Sequence, residues 1–380
     1  MKMEQSITGD EILVANSAAL TGVFATTGDP IVAGIHAYLD MVNAGGGIYG
    51  RTLRLLHIDD GYDGPKALEA FEELVMRQKA FAYLSHFGAP SVDATLDEIR
   101  RIGIPVFGFA TGLGRLYAEQ AQNFAQGANC YPIQPIYVTE GRVLVVRALS
   151  MFRPKKIGVL YTNDDTGRDL LAGVMLQCRR LGKDFAEQRV ELDMSTLPAA
   201  VEALKAAQVD CVIIAAPQAF FPTVAGEMAD QDLCRPVLTT YLNSIITIAQ
   251  ATNRRVKGKF DIYALSWLNY QDERLDNLEE ASIWLGDYAM NGYAHCGWIS
   301  AHFFCEGLRR MGPGMPRWAD FPGVMERAPL QIPFGGKVDY AGGKRMGTQE
   351  MSLVKLDLSA PTGWQFIDGL RSMGELLGTL

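Results

Sequence analysis

Between Glu11 and Asp60 the chain runs through a strand, a loop of small residues, a helix, a glycine turn and a second strand. No other stretch narrows the possible folds as much. Glu11–Asn16 reads as a strand, Ser17–Gly28 as a loop and Asp29–Asn43 as a helix. Ala44–Gly50 reads as a turn, and Leu53–Ile58 as a strand running into Asp59-Asp60. This order is the opening unit of an open α/β sheet. The alternation continues with helix Gly64–Lys79, strand Ala80–Ser85, helix Pro90–Arg101 and strand Ile104–Phe109. In the first of these helices Ala67, Leu68, Phe71, Leu74 and Val75 recur at core-face spacing.

A helix is expected over Gln134–Phe152, with Pro135 in the first turn, where proline is tolerated. The pattern then restarts: strand Lys156–Tyr161, helix Gly167–Leu181, strand Asp184–Leu192, helix Leu197–Ala207, strand Asp210–Ala215, helix Phe221–Asp230 and strand Pro236–Thr240. The fold class is therefore α/β, with two doubly wound three-layer (αβα) lobes whose seam lies near Gly127–Pro135. At 380 residues the chain exceeds one hydrophobic core, and 48% apolar residues suffice to pack two. Beyond residue 255 come a strand at Phe260–Leu265, helices at Asp272–Leu285, Asn291–Met311 and Trp318–Ala328, and a strand at Met351–Leu358. These are too few strands for a third α/β domain, so the tail is expected to complete the first two. The expected lobes are residues 10–129 with 265–346, and 130–264 with 347–380. Several crossovers side by side make a hinge, and hinged lobes close around ligands.

A net charge of -8 and a pI near 5.3 leave no basic excess to neutralise phosphates, so no nucleic-acid partner is expected. No run of about 18 uncharged apolar residues is present. Met1–Gln5 lacks the apolar segment of a secretory leader. Composition does not separate a cytoplasmic protein from one whose export signal is missing from this chain. The cysteines (Cys130, Cys178, Cys211, Cys234, Cys296, Cys305) form no C-x-x-C pair. They read as reduced, buried thiols, with one disulfide left open for an exported chain.

Open α/β sheets bind ligands at the carboxyl ends of their strands. In the first lobe the loops Leu20–Gly28, Phe87–Ser91 and Phe109–Gly112 should converge there. The last two read as strand-to-helix turns whose backbone N–H groups favour an anion. Gly88, Ala89, Ser91, Ala110, Thr111 and Gly112 are small enough to let a ligand reach the backbone, and Phe24, Phe87 and Phe109 are expected to form an apolar wall. In the second lobe the expected face is Thr162–Gly167, with Asp164 and Thr166, Pro217–Phe221, with Gln218, and the strand end at Tyr241. Trp267 and Tyr270 are expected to close one side. The expected ligand has a carboxylate or similar head and an apolar body.

Competing signals are weaker. Gly45-Gly46-Gly47-Ile48-Tyr49-Gly50 fits G-x-G-x-x-G but follows a helix and precedes a strand, the reverse of a dinucleotide turn, and reads as a helix C-cap. Gly335-Gly336-Lys337 and Gly342-Gly343-Lys344 read as hairpin turns. His295, Cys296, His302 and Cys305 share one helix, and packing explains them better than a metal. Asp59-Asp60 and Asp164-Asp165 are adjacent in sequence and make no acid/base dyad; one of the first pair is expected to cap a loop. No catalytic pattern is present. No catalytic residue, cofactor or metal is expected, and the chain reads as a non-enzyme.

The series Leu20-Thr21-Gly22, Gly28-Asp29, Val42-Asn43-Ala44-Gly45-Gly46-Gly47-Ile48-Tyr49-Gly50-Arg51 and Asp59-Asp60 is followed by Gly88-Ala89-Pro90-Ser91, Gly103-Ile104-Pro105-Val106 and Ala110-Thr111. In this order it resembles the type I periplasmic binding proteins, in the branch of the leucine/isoleucine/valine-binding protein. The resemblance runs from about Glu11 to Leu358. It implies a two-lobed receptor with crossovers near Gly127–Pro132, Ile262–Trp267 and Arg345–Glu350, closing on a small-molecule solute for the membrane permease of an ABC importer. It also implies a place outside the cytoplasm, periplasmic or membrane-anchored, and a monomer or weak dimer. A ligand sensor of the same fold, uncoupled from transport, is the alternative. The ligand carries over less well. Where amino-acid binders of this family have a serine and a threonine for the ligand carboxylate, this chain has Ala89 and Gly112. Tyr241 stands where an acid meets the α-amino group, and Thr166 replaces a tyrosine. A buried ammonium needs a negative charge or several acceptors, and the expected acid is absent, so the solute class widens to aromatic and aliphatic acids.

Overall fold

The computed structural model describes residues 7–271 and 274–378. Met1–Gln5, where no leader was read, lie outside them, as do Asp272 and Glu273 at the start of one expected helix. The chain divides into two compact units. Unit 1 holds the described residues up to Gln134 together with Tyr270–Thr348, and unit 2 holds Pro135–Asn269 and the chain from Gln349 onward.

Unit 1 begins with β1 (Glu11–Ala18), α1 (Ala25–Ala44), β2 (Thr52–Asp59), α2 (Gly64–Phe71), β3 (Ala82–Phe87), α3 (Ala89–Ile102), β4 (Val106–Ala110) and the short β5 (Cys130–Tyr131). α2 runs on as a π-helical segment, Glu72–Arg77. The strands are parallel in the order β2-β1-β3-β4-β5, with Ile7–Thr8 antiparallel on the start of β1. α1 begins at Ala25, not at the expected Asp29. Ala25-Thr26-Thr27-Gly28 has poor helix propensity, but a Cβ on Gly28 would lie 2.0 Å from the Ala19 carbonyl oxygen. Contact with that backbone winds the turn where propensity alone would not.

Unit 2 begins with α4 (Tyr137–Phe152), β6 (Lys156–Thr162), α5 (Asp165–Leu181), β7 (Asp184–Val190), α6 (Leu197–Ala206), β8 (Cys211–Ala215), α7 (Phe221–Asp230), β9 (Val237–Thr239), α8 (Ile246–Val256) and β10 (Ile262–Ser266). Gln134 and Pro135 are not helical as expected. Ile136 is extended (φ -73°, ψ 135°) and caps a helix that starts at Tyr137, while the Pro135 carbonyl accepts the Tyr241 hydroxyl at 3.0 Å.

The chain then returns to unit 1 for α9 (Arg274–Leu285), α10 (Gly292–Met311), α11 (Phe321–Met325) and the hairpin β11 (Leu330–Gln331) and β12 (Lys337–Val338). The helix expected to Ala328 stops at Met325, because the Arg310 guanidinium takes the Val324 and Ala328 carbonyls. Gly335-Gly336 turns the hairpin, but Gly342-Gly343-Lys344 does not turn one. Ala341–Gly343 is a single 3-10 turn with Gly342 and Gly343 at positive φ, and it leads to an isolated bridge between Arg345 and Ala118. Back in unit 2, β13 (Glu350–Leu356), β14 (Trp364–Ser372) and α12 (Met373–Gly378) finish the chain. The sheet order is β7-β6-β8-β9-β10-β13-β14, parallel as far as β10 and antiparallel after it. α8 and β14 were not expected from the sequence.

Both parallel sheets thus share one strand order, and each has a switch point between its first and third strands, at β1/β3 and at β6/β8. Chain leaving these strand pairs diverges to opposite faces and opens a crevice at their carboxyl ends.

Candidate functional site

Each unit presents a face at its switch point. In unit 1 the loop after β1 is tied down by Asp59 at the end of β2. The Asp59 carboxylate accepts Leu20 N (2.8 Å), Thr21 Oγ1 (2.8 Å) and Gly61 N (2.9 Å). This is the loop-capping role expected of one of that acid pair. Asp60 is fully buried and accepts Tyr62 N at 2.9 Å. Burial raises its pKa, while the bond from Tyr62 N pulls the other way.

Tyr62 is a candidate site residue that the sequence reading missed. Its backbone is left-handed (φ 64°), and its ring stacks on Phe24 at 3.9 Å and lies 5.5 Å from Phe87. Gly88, at φ 92°, makes room for it: a Cβ there would lie 2.5 Å from the Tyr62 ring. The available signal was position, since Gly61-Tyr62 follows a strand ending at the same edge of the sheet. The aromatic wall is therefore Phe24, Tyr62 and Phe87. Phe109 does not belong to it. Phe109 pairs in register with His86 and Phe87 with Ala110, which sets the two phenylalanines on opposite faces.

α3 follows Gly88, and no side chain caps it. Pro90 has no N–H, so the N–H groups of Ala89 and Ser91 define the open end of this 14-residue helix. Ser91 is fully buried. The other expected helix start does not exist. After β4 the chain enters only a 3-10 turn at Gly114–Leu116, and Thr111 Oγ1 accepts Leu113 N at 3.3 Å within its own turn. Ala110, Thr111 and Gly112 sit at the end of β4 without a helix dipole behind them.

In unit 2, Asp164 caps α5, accepting Gly167 N (2.9 Å) and Thr162 Oγ1 (2.8 Å), and Thr166 is buried in the first turn. These bonds commit the Asp164 carboxylate to the fold. Tyr241 is buried; its ring stacks on Tyr137 at 5.9 Å and its hydroxyl donates to Pro135 O. Beneath it lies Glu140, with no exposed surface, accepting Tyr241 N (2.7 Å) and Thr240 Oγ1 (3.0 Å). Burial pushes the Glu140 carboxyl up to about 8. A glutamate one turn ahead of the apolar run Val143-Leu144-Val145-Val146 in α4 was the overlooked sequence signal. Gln218 is buried and left-handed (φ 47°), with its N–H on Asn243 Oδ1 at 2.6 Å. Trp267 is buried just after β10.

The helix carrying His295 and His302 is explained by packing. His295 bonds to the Tyr270 hydroxyl (2.7 Å) and the Ala289 carbonyl (2.9 Å), and His302 to Tyr38 (3.0 Å). Tyr270 is thereby held inside unit 1. The free cysteines are all buried except Cys234. A hollow of about 580 Å³ in unit 1, lined by Ala121, Phe124, Ala128, Pro322 and Glu326 among others, includes none of the expected site residues. No helix among the described residues is long and apolar enough to cross a membrane.

A family model described as periplasmic binding protein matches residues 11–362. A curated amino acid binding protein of Pseudomonas aeruginosa is 23% identical over 180 residues, which cover 45% of this chain and 44% of that protein. The chain thus spans under half the length of that relative. Among solved structures, a fatty acid ABC transporter substrate-binding protein from Thermomonospora curvata aligns with TM-score 0.85 at 20% identity, over 100% of this chain and 96% of that one. A solute binding protein of an ABC transporter from R. palustris, in complex with benzoate, aligns with TM-score 0.80 at 16% identity, over 95% and 96% of the two chains.

Proposed function

We propose that this chain, which belongs to the periplasmic binding protein family, is the extracytoplasmic receptor of an ABC importer for a small carboxylate-bearing solute. The carrying observation is the uncapped amino end of α3 beside the Phe24–Tyr62–Phe87 cluster. A helix start carries roughly half a positive charge and unpaired N–H groups, so it suits a carboxylate. The aromatic rings beside it suit an apolar body. The similar proteins of known description take a fatty acid, benzoate or an amino acid, and each of these bears a carboxylate.

The solute is bound, not transformed. Its carboxylate docks at Ala89 and Ser91, with Ala110–Gly112 alongside and Phe24 and Phe87 against the body. Closure of the second lobe brings Thr166, Gln218, Tyr241 and Trp267 to the solute. A ligand drives such closure only by its greater affinity for the closed state. The closed, loaded receptor then delivers the solute to the permease.

Calorimetric titration with benzoate, octanoate and valine, each beside its neutral amide, tests the reading. One acid should bind with Kd near micromolar, about -8 kcal/mol, and its amide at least about tenfold more weakly. Equal binding of acid and amide refutes the carboxylate site, and chemical conversion of the bound compound refutes the receptor.

A further inference from the structure

We infer that Asp60 couples this receptor to protons: the site takes up an acid solute together with one proton, which Asp60 carries while the solute is bound. The inference rests on the receptor function proposed above and names what the carboxylate site must take up beside the solute.

Asp60 directly follows β2 and is fully buried. One oxygen of its carboxylate accepts Tyr62 N at 2.9 Å, and the other, Oδ2, has no hydrogen-bond partner among the described residues. Four more buried polar atoms around it share that condition: Ser17 Oγ near the end of β1, Tyr83 OH and His86 Nδ1 on β3, and Ser91 Oγ in the first turn of α3. The Ser17 and Ser91 hydroxyls lie beside Asp60, and the Tyr83 hydroxyl lies beside Ser17. The Tyr83 and His86 rings are 5.0 Å apart. Folded proteins pair nearly every buried polar group, so orphans gathered from three strands and a helix at one switch point need an explanation.

The cluster lies behind the carboxylate site. Ser91 belongs to both, its N–H at the open start of α3 and its hydroxyl in the cluster. Tyr62, whose N–H Asp60 holds, packs against Gly88, the residue before α3. No lysine or arginine among the described residues pairs with Asp60. Asp59 is committed to Leu20, Thr21 and Gly61. On α2, Lys66 is exposed, and Asp63 caps the helix through the Lys66 N–H. On α3, Asp93 pairs with Arg115. His86 meets Thr95 through Nε2 and His57 meets Asn16 through Nδ1, and burial keeps both rings neutral. A solute carboxylate at Ala89 and Ser91 would therefore face a second buried anion with no cation between them, and a dry interior screens that repulsion poorly. The orphaned atoms have no exposed surface for a solute group to reach, but a proton reaches them. It comes from solvent, bonds to Oδ2, removes the repulsion, gives the cluster a donor, and returns to solvent when the solute leaves.

Calorimetric titration with whichever of benzoate, octanoate and valine binds, in buffers of different ionisation enthalpy from pH 5 to pH 8, counts the protons on wild type and Asp60→Asn. Asparagine keeps an oxygen for Tyr62 N. Wild type should take up a proton with the acid, and its affinity should fall as pH rises, by up to about tenfold per pH unit. Asp60→Asn should take up none, bind with a flat pH profile and exceed wild type at pH 8. Infrared difference spectra of wild type with a carbon-13-labelled acid should show an unlabelled protonated carboxyl appear on binding. No proton uptake by wild type at any of these pH values, the same uptake in Asp60→Asn, or no such infrared band overturns the inference and leaves the receptor function standing. The infrared result decides even if the variant does not fold. If wild type binds none of the three acids, the receptor reading fails and this inference falls with it.

Discussion

Glu140 is a carboxyl wholly removed from water, and among the described residues its partners are Tyr241 N and Thr240 Oγ1. Its folded pKa is raised by burial to about 8 from the usual 4.5. Below about pH 4.5 the acid is protonated folded and unfolded, and it contributes no pH dependence. Between these values the unfolded chain gives up the proton and the folded chain keeps it, so stability falls as pH rises. Glu140→Gln keeps an acceptor for Tyr241 N and removes the titration. The variant should gain on wild type from pH 5 to pH 8 by on the order of 3 kcal/mol. Thermal denaturation at each pH measures the gain, and a difference that stays flat with pH sinks the assignment. The Thr240-Tyr241 backbone is held by this buried acid.

Helix pairs in both units meet through reciprocal glycines. A Cβ on Gly34 of α1 would lie 1.9 Å from Ala294 O, and one on Gly297 of α10 would lie 2.0 Å from Ile31 O. In unit 2, Gly141 of α4 approaches Leu170 O at 2.2 Å and Gly173 of α5 approaches Val138 O at 2.1 Å on the same measure. The obstacle is backbone in every case, so it cannot swing aside. Gly34→Ala should therefore cost at least about 1–3 kcal/mol as overpacking. Gly323→Ala in α11, where nothing lies within 4 Å, should be neutral or stabilise by about 0.5–1 kcal/mol through helix propensity. Chemical denaturation of the two variants side by side checks this, and equal stabilities would show that the helices separate without cost.

At the scale of the whole molecule, acid acts through four histidines of unit 1, of which His86 and His295 are fully buried and His57 and His302 half-buried. His57, His86, His295 and His302 have pKa values lowered to about 4, first by burial. Their stabilising share is complete above the unfolded value near 6.5. It is lost as pH falls from there toward 4, because the unfolded chain takes up protons first. Unit 2 holds Glu140, whose dependence has the opposite sign. Lowering the pH from 7 to 5 should lower the unfolding transition of unit 1 more than that of unit 2. Scanning calorimetry, or a protease that cuts the weaker unit first, reads the order, and earlier loss of unit 2 contradicts it.

The alternation of strand and helix periodicity was enough to establish the α/β class, the restart of the pattern after residue 155 and the return of the tail to the earlier units. Small residues at Gly88-Ala89 marked the turn from β3 into α3, because turn geometry and close approach demand them locally. Side-chain commitments were not legible. Phe109 and Phe87 look equivalent in sequence, and only register puts them on opposite faces. Thr111-Gly112 resembles Gly88-Ala89 as a turn, yet a helix follows only the second. Arg345 drew no notice as a side chain. It is fully buried, donates to the Ala128, Tyr340 and Lys344 carbonyls and to Glu326, and lies over the Tyr131 ring at 4.9 Å. Local periodicity is written in neighbouring residues. The partner of a buried charge, the face a ring takes and the glycine a helix needs depend on chain that is distant in sequence, and only the assembled fold brings that chain alongside.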